Sequence, residues 1–346
     1  GFPAAIKWDM VRGQSETERY VVCNADEGEP GTFKDRDVMR YRPHLLLEGL
    51  VIAAECVEAQ EIIIYIRGEF VDEYQTLVRA IDEVKDAIAP ITIRMVQGHG
   101  AYICGEETAL LESLEGRRGM PRLKPPYPTE RGFRQKPTVI NNVETLACVP
   151  AILQRGGAWF KELGKSESGT KLSCISGHVT NPGGFELPLG VSLTELVEAA
   201  GGYVGTPKTF SPGGASAGFL PMRFADTPLD FGNLAKAGSM LGSAGVVVLN
   251  DTVNMADAAK IQAGFFEDES CGQCAPCRIG TRIVNRAIEQ FQDSKNTTAL
   301  AHMEDVIWEM EEGSICGLGM VAGKPLENAM HYFPEDFGKP STDTTS

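Results

Sequence analysis

The sequence predicts three regions in series: a parallel α/β domain, a small α+β module and a C-terminal helical bundle. Three observations predict this. Across the first half, β-branched runs alternate with stretches of helical periodicity. Near residue 170 that alternation gives way to two strand-like runs around a Gly/Pro turn, and from residue 254 the apolar spacing becomes helical.

The first region opens with "RYVVCN" (19–24), a short strand with a polar exit. "HLLLEGLVIAAECV" (44–57) is apolar enough for a buried helix, and "EIIIYIRG" (61–68) is a β-branched strand. "VDEYQTLVRAIDEVKDA" (71–87) sets Tyr74, Leu77, Val78, Ile81 and Val84 at helical spacing, and "ITIRMV" (91–96) is the next strand. Strand–helix–strand–helix–strand implies a parallel sheet, in which ligands bind beyond the carboxyl ends of the strands. Two polar loops fall at such ends, "NADEGEPG" (24–31) and "GHGAYICGEET" (98–108). The prolines of "GMPRLKPPYPTERG" (119–132) enforce an extended loop. "VINNVETLACVPAIL" (139–153) reads as a helix.

In the second region, "KLSCISGHVTNPGGFELPLG" (171–190) gives two strands. "SLTELVEAAGG" (192–202) gives a short helix with a capping box, Ser192 and Glu195. "GVVVLND" (245–251) gives a later strand, so the module has a β-grasp pattern. In the third, "RIVNRAIEQF" is apolar at 283, 284, 287, 288 and 291, and "LAHMEDVIWEM" at 300, 303, 307 and 310. The final "GKPSTDTTS" is polar and expected to be disordered. The expected boundaries are 1–168, 169–252, 253–337 and a tail at 338–346.

A net charge of −15 argues against a nucleic-acid partner, which selects a basic face. No run approaches the roughly 18 apolar residues a membrane helix needs, so no direct membrane insertion is expected. Of nine cysteines, Cys23, Cys56, Cys104, Cys148 and Cys174 stand singly and read mostly as small buried hydrophobes. The other four require different chemistry. Reduced thiols and a metal centre suit a cytoplasmic compartment better than a disulfide framework does.

"ESCGQCAPCRIGT" (269–281) carries Cys271, Cys274 and Cys277 with two residues between successive cysteines, and "GSICGLG" (313–319) carries Cys316. One helix out and one back would return Cys316 to the first loop. Gly272, Gly313, Gly317 and Gly319 leave room for backbone N–H groups near the sulfurs. Structural zinc more often shows two separated pairs of ligands, whereas three successive cysteines with one distant partner suit a 4Fe–4S cluster. Zinc stays open as the rival.

The remaining loops are ambiguous when read singly. "NADEGEPG" is either a solvated turn or a site bonding ribityl or ribose hydroxyls. The glutamates of "GEET" either stabilise a helix dipole or face a ligand, and "NNVE" can be an ordinary Asn-capped helix start. Taken together, "CNADEGEPGTFKDR", "GAYICGEETALLESLEGRRGMPRLKPPYP", "NNVET" and the cysteine motifs closely resemble the NADH-oxidising flavoprotein subunit of complex I. They also resemble its relatives in NAD-dependent formate dehydrogenases and NAD-reducing hydrogenases, and the likeness covers nearly the whole chain in order.

The resemblance implies a Rossmann-like domain for FMN and NADH, a β-grasp module of SLBB type and a helical bundle carrying 4Fe–4S. It implies FMN-pocket roles for Lys7, Asn24, Asp26, Glu27, Glu29, Tyr102, Gly105, Asn141 and Asn142. Glu29, Glu106 and Glu107 would neighbour the nicotinamide nucleotide as the catalytic carboxylates and, with the FMN positions, as cofactor-binding groups. Phe2 and Tyr127 would hold the adenine ring with Lys124 nearby, and Cys271, Cys274, Cys277 and Cys316 would bind the cluster. Glu106 and Glu107 would also disfavour the extra phosphate of NADPH. The implied partners are NADH/NAD, a small 2Fe–2S thioredoxin-like subunit and a larger iron–sulfur catalytic subunit. "FSPGGASAGFLP" and "GSICGLG" favour a formate dehydrogenase β subunit as the parent, with complex I and NAD-reducing hydrogenase as alternatives. A subunit that has lost NADH binding is the non-catalytic alternative, disfavoured by the intact "GEET" and "KPPYP". The resemblance also implies a glycine-rich phosphate loop of which only its end, "GFP" (1–3), is visible.

Overall fold

The computed structural model describes residues 2–338. Gly1 of the "GFP" segment and the expected disordered tail, apart from Gly338, lie outside the described residues. The chain divides into two compact units. The first is built from residues up to Gly28 together with Phe33–Glu162, and the second from Glu29–Thr32 together with the residues from Leu163 on.

Among the described residues, the first unit holds one sheet of four strands: β1 (Tyr20–Ala25), β2 (Glu61–Ile66), β3 (Thr92–Gln97) and β4 (Thr138–Asn142), in the order β3-β2-β1-β4. All pairings are parallel. Val21, Val22, Ile62, Ile63 and Ile64 are fully buried, as a parallel sheet covered by helices requires. The helices Pro43–Val57 and Val143–Arg155 pack together through Gly49, where a Cβ would strike the backbone carbonyl of Leu146. In the helix Val71–Val84 the buried face is Glu73, Leu77 and Ala80, while Val78 faces solvent.

The sequence expectation of one helix over 139–153 is corrected: residues 138–142 form β4, and the helix begins at Val143. Thr138, Val139 and Ile140 are β-branched, and their ladder with Tyr20–Val22 outweighs the helical pattern that follows. The correction bears on the site. Strand β1 lies between β2 and β4, so the connections diverge beside it and leave a crevice at the carboxyl ends. Register places Asn24 opposite Asn142 and Cys23 opposite Asn141.

The second unit holds a mixed sheet, β5 (Thr170–Gly177), β6 (Gly183–Pro188), β7 (Pro207–Ser211), β8 (Leu220–Pro221) and β9 (Gly245–Asn250), in the order β6-β5-β9-β7-β8. Strands β7 and β8 were not visible in the sequence pattern, because β7 is only five residues starting at a proline and β8 only two ending at one. The helix Leu193–Ala199 has the predicted box: Ser192 Oγ accepts from Glu195 N at 3.2 Å, and Glu195 Oε2 accepts from Ser192 N at 2.8 Å. It buries Leu193, Leu196 and Val197 in a core with Ile175, Phe210, Val246 and Val248. The helices Met255–Glu269, Ala275–Ser294 and Met303–Gly313 follow, with Lys324–Tyr332 packed against Met255–Glu269. Val284, Ala287, Ile288 and Phe291 are buried along Ala275–Ser294, as are Met303, Ile307 and Met310 along the next helix; Ile283 is exposed. Among the described residues no helix is long and apolar enough to cross a membrane.

Candidate functional site

The "GEET" motif forms the start of the helix Glu107–Leu114, with Glu106 as its N-cap. Glu106 Oε2 accepts from Thr108 N and Ala109 N, both at 2.9 Å, and from the Thr108 hydroxyl. These are the donors a helix N-terminus leaves unmet, and a carboxylate satisfies them well. Its other oxygen accepts from Lys124 Nζ at 3.0 Å, and Lys124 also reaches Glu107 Oε1 at 3.4 Å. From the other side Lys7 Nζ lies 3.2 Å from Glu107 Oε2 and donates to the Ile140 carbonyl at 3.2 Å. Burial by itself lowers the Lys124 pKa, but the hydrogen bond and charge of Glu106, then the charge of Glu107, outweigh it and raise it. Two lysines therefore offset two glutamates. Tertiary contacts bring in Lys7 from a distant part of the chain, which reduces the negative charge of the glutamate pair, while Glu130 adds a carboxylate to the lining of the neighbouring cavity.

A cavity of about 570 Å³ opens beside this cluster, lined by Phe2, Lys7, Met10, Glu107, Tyr127 and Ile140 among others. That volume lies within the usual range for cofactor and ligand pockets. Phe2 and Tyr127 are 58% and 53% exposed, large aromatic surfaces left uncovered at its rim. The structure thus gathers four residues named from the sequence, Phe2, Lys7, Glu107 and Tyr127, and places Lys124 on the same glutamates. Met10, Gln14 and Thr129 also line it and had no sequence signal.

At the carboxyl ends of the strands, Asn24 Nδ2 donates to the Gly105 carbonyl at 2.8 Å, and Asn141 Oδ1 accepts from Trp8 Nε1 at 2.8 Å. Asp26 is buried. Tyr102 and Gly105 form a single 3₁₀ turn before Glu106. The Nη1 of Arg67 is buried without a hydrogen-bond partner among the described residues. It crowds Gly28 so closely that a Cβ there would collide with it. An unmet buried donor next to the "NADEGEPG" loop suits an acceptor-rich ligand.

Glu27 and Asn142 are engaged inside the protein. Glu27 accepts from Asp35 N at 2.9 Å and Arg36 N at 3.1 Å, capping the helix Lys34–Tyr41. Asn142 donates to Asp35 Oδ2 at 2.6 Å and accepts from Glu144 N at 3.0 Å. Beneath them the buried Lys34 lies 2.7 Å from Asp35 Oδ1 and 3.0 Å from Glu144 Oε2. Sequence reasoning assigned no role to Lys34, Asp35 or Glu144; a charged residue on a polar stretch gives no sign that it will be buried. Glu29 belongs to the second unit, where its Oε1 accepts from Ser216 N and Oγ, both at 2.9 Å.

Burial, and then the charge of Asp35, push Glu27 up from 4.5 to about 7. A carboxyl raised in the fold favours the protonated folded state. Its stabilising contribution is complete below the unfolded value of 4.5 and is lost as pH climbs through about 7. Glu27→Gln is therefore expected to flatten the decline of stability over that window. Denaturation midpoints at a series of pH values check this, and parallel wild-type and mutant slopes would exclude it.

In the second unit the cysteines come from adjoining segments. Cys271 and Cys274 precede the helix Ala275–Ser294, Cys277 lies in its first turn, and Cys316 caps the short helix Gly317–Val321. Burial raises the Cys277 pKa to about 11, with Cys274, Cys316 and Cys271 each adding to the rise, so all four thiols converge on one region. Yet among the described residues no three Cys, His, Asp or Glu side chains close round a single metal ion. Gly272 takes φ +77°, which glycine supplies without strain. Around Gly319 a Cβ would meet the side chains of Ser314 and Cys277. Four thiols, a glycine-lined cradle and a buried, unpartnered Ser314 hydroxyl fit an iron–sulfur cluster.

Residues 1–151 match the model of the Nuo51 FMN-binding domain, and residues 173–220 match the SLBB domain. Residues 257–340 match the iron–sulfur binding region of NADH-ubiquinone oxidoreductase-F. The chain is 44% identical to the F 2 subunit of NADH-quinone oxidoreductase of Rhizobium meliloti (strain 1021), over 97% of this chain and 84% of that protein. It is 43% identical to the corresponding F subunit of Rickettsia typhi (strain ATCC VR-144 / Wilmington), with the same coverage of each. Its fold is similar to that of an NAD+-reducing NiFe-hydrogenase in the H2-reduced state, with a TM-score of 0.93 and 38% identity. That match covers 99% of this chain, which spans 60% of the hydrogenase chain. By identity over nearly its whole length and by three domain models in order, the chain belongs to the family of NADH-quinone oxidoreductase F subunits, which are flavin and iron–sulfur oxidoreductase components.

Proposed function

We propose that this chain oxidises NADH as the flavoprotein subunit of a larger assembly, of the kind found in NADH-quinone oxidoreductase or in an NAD-reducing hydrogenase. The observation that carries the reading is the cavity lined by Phe2, Tyr127, Lys7 and Glu107, with Lys124 bridging Glu107 to the neighbouring Glu106. The expectation of a formate dehydrogenase parent draws no support from the relatives described above, whose names favour the two alternatives. The proposed partners are a small 2Fe–2S thioredoxin-like subunit and a larger iron–sulfur subunit, with the assembly in the cytoplasm or on the cytoplasmic face of a membrane.

When bound, FMN supplies two-electron chemistry with NADH and one-electron chemistry with the cluster. The chain's own residues position and shield. Lys7, Asn24, Asp26, Tyr102 and Gly105 would hold the flavin. Glu27, Asn141 and Asn142 act by fixing the helix cap and strand ends around it. Glu106 and Glu107 would orient the nucleotide, their charge held by Lys7 and Lys124. Glu29 is proposed as a further nucleotide contact. Phe2 and Tyr127 would stack on adenine with Lys124 nearby, leaving the reacting carbon to the interior. Cys271, Cys274, Cys277 and Cys316 would ligate the cluster.

The test is purification from native cells with partner subunits, followed by NADH addition. Bleaching of a flavin spectrum and reduction of an artificial acceptor are expected. A flavin-replete complex indifferent to NADH would exclude the reading. Molybdenum or tungsten in the complex would restore the formate dehydrogenase parent, and nickel would select the hydrogenase type.

Tyr127→Ala is expected to raise KM for NADH roughly 5- to 100-fold, since a base–aromatic stack contributes about 1–3 kcal/mol. The stack is remote from the chemistry, so kcat should change little. A large fall in kcat at constant KM would contradict the stacking role.

A further inference from the structure

Two serines, Ser270 and Ser314, flank the cysteine cradle, and neither is a ligand in the reading above. Ser270 Oγ lies 3.2 Å from Cys277 Sγ, and its oxygen also accepts from Gly272 N at 3.3 Å. A cysteine that ligates a metal is a thiolate and has no proton to give. Within that pair the hydrogen bond can therefore run only one way, from the Ser270 hydroxyl to the sulfur.

Ser314 presents the second hydroxyl. It is 5% exposed, and its Oγ has no hydrogen-bond partner among the described residues. Its backbone N–H donates to the Met310 carbonyl at 3.2 Å. A buried hydroxyl without a partner is costly to keep. Its position is set by Gly319, whose missing side chain leaves the space in which Ser314 and Cys277 meet. Cys316 follows two residues later. The surroundings supply no protein acceptor, so the acceptor that suits this donor is sulfur of the bound centre.

We propose that Ser270 and Ser314 are hydroxyl donors to the sulfurs of the centre held by Cys271, Cys274, Cys277 and Cys316, and that together they raise its reduction potential. The proposal rests on the cluster reading given above. Reduction adds one electron to the centre without making or breaking a bond, and the added negative charge is shared with the sulfurs. A donor to sulfur stabilises the reduced form more than the oxidised form, which moves the potential upward. The two serines are positioning residues that make the centre a readier electron acceptor.

The experiment is an EPR-monitored redox titration of the whole complex carrying the wild-type chain, Ser270→Ala, Ser314→Ala or both. Each single change is expected to lower the potential by up to about a tenfold shift in the one-electron equilibrium, or 59 mV, and the double change by more than either. In deuterated buffer, electron–nuclear double resonance on the reduced wild-type centre should lose exchangeable proton couplings that the alanine variants lack from the start. Variants that retain full iron content at an unchanged potential overturn the proposal while leaving the cluster reading intact. A wild-type complex with no iron–sulfur signal from this chain overturns both. If Ser314→Ala cannot retain its cluster, Ser270→Ala and the wild-type proton couplings decide, and absence of exchangeable couplings overturns the proposal.

Discussion

Cys316→Ser is expected to abolish electron delivery to the partner subunits while leaving the reaction between NADH and a small artificial acceptor within about twofold of wild type. Cys316 is 9% exposed at the cap of Gly317–Val321, and it interacts electrostatically with Cys277 across the bundle. A hydroxyl is a harder, poorer ligand for iron than a thiolate. Outer-shell changes at metal sites cost roughly 10- to 100-fold, so the loss of a ligand should reach at least that in physiological turnover. The cavity proposed for NADH belongs to the other compact unit, which is why ferricyanide reduction should survive. The paired assay is NADH with ferricyanide and NADH with the intact complex, after circular dichroism and flavin content show that the variant is folded and loaded. Full delivery by such a variant would remove Cys316 from the ligand set.

Lys34→Met is expected to destabilise the first unit by about 3–5 kcal/mol, the usual cost of stranding a buried charge. Methionine keeps the length of the side chain and loses only its charge and donors. Asp35 and Glu144 are 3% and 8% exposed, and Lys34 lies within 3.0 Å of both carboxylates. Burial disfavours the Lys34 charge, but Asp35, Glu144 and Glu27 together push its pKa up, so removal leaves three carboxyl groups facing one another. Asn142 shares the network and starts the helix after β4, so flavin retention should fall along with stability. Urea unfolding in a Trp308→Phe background would follow Trp8 and Trp159, both in the first unit; Trp308 is 63% exposed and tolerant of the change. Adding Glu144→Gln should recover part of the loss, because the sites share partners. A shift below about 0.5 kcal/mol would show that the network contributes specificity alone.

The sequence by itself determined much of this protein. Alternating β-branched and helical runs are local, so β1, β2, β3 and the helices Pro43–Val57, Val71–Val84, Leu193–Ala199, Ala275–Ser294 and Met303–Gly313 were legible, as were the capping box at Ser192 and the cysteine spacing. The resemblance to a known family added Lys7, Glu106, Glu107 and Tyr127 as expected site residues. What escaped was decided by contacts between distant residues. Residues 138–142 became a strand because β1 offered them a parallel edge, and β7 and β8 exist because β9 holds them in register. Lys7 meets Glu107 across a separation of 100 residues, which sets a lysine against a pair of glutamates that looks purely acidic in the sequence. The burial of Lys34 follows from the packing of its helix, and its charge is tolerable only because Asp35 and Glu144 are buried with it. Local pattern records what a segment prefers, whereas the tertiary structure decides which buried charges and hydroxyls must find one another, since in a low-dielectric interior an unmet polar group costs more than any local preference.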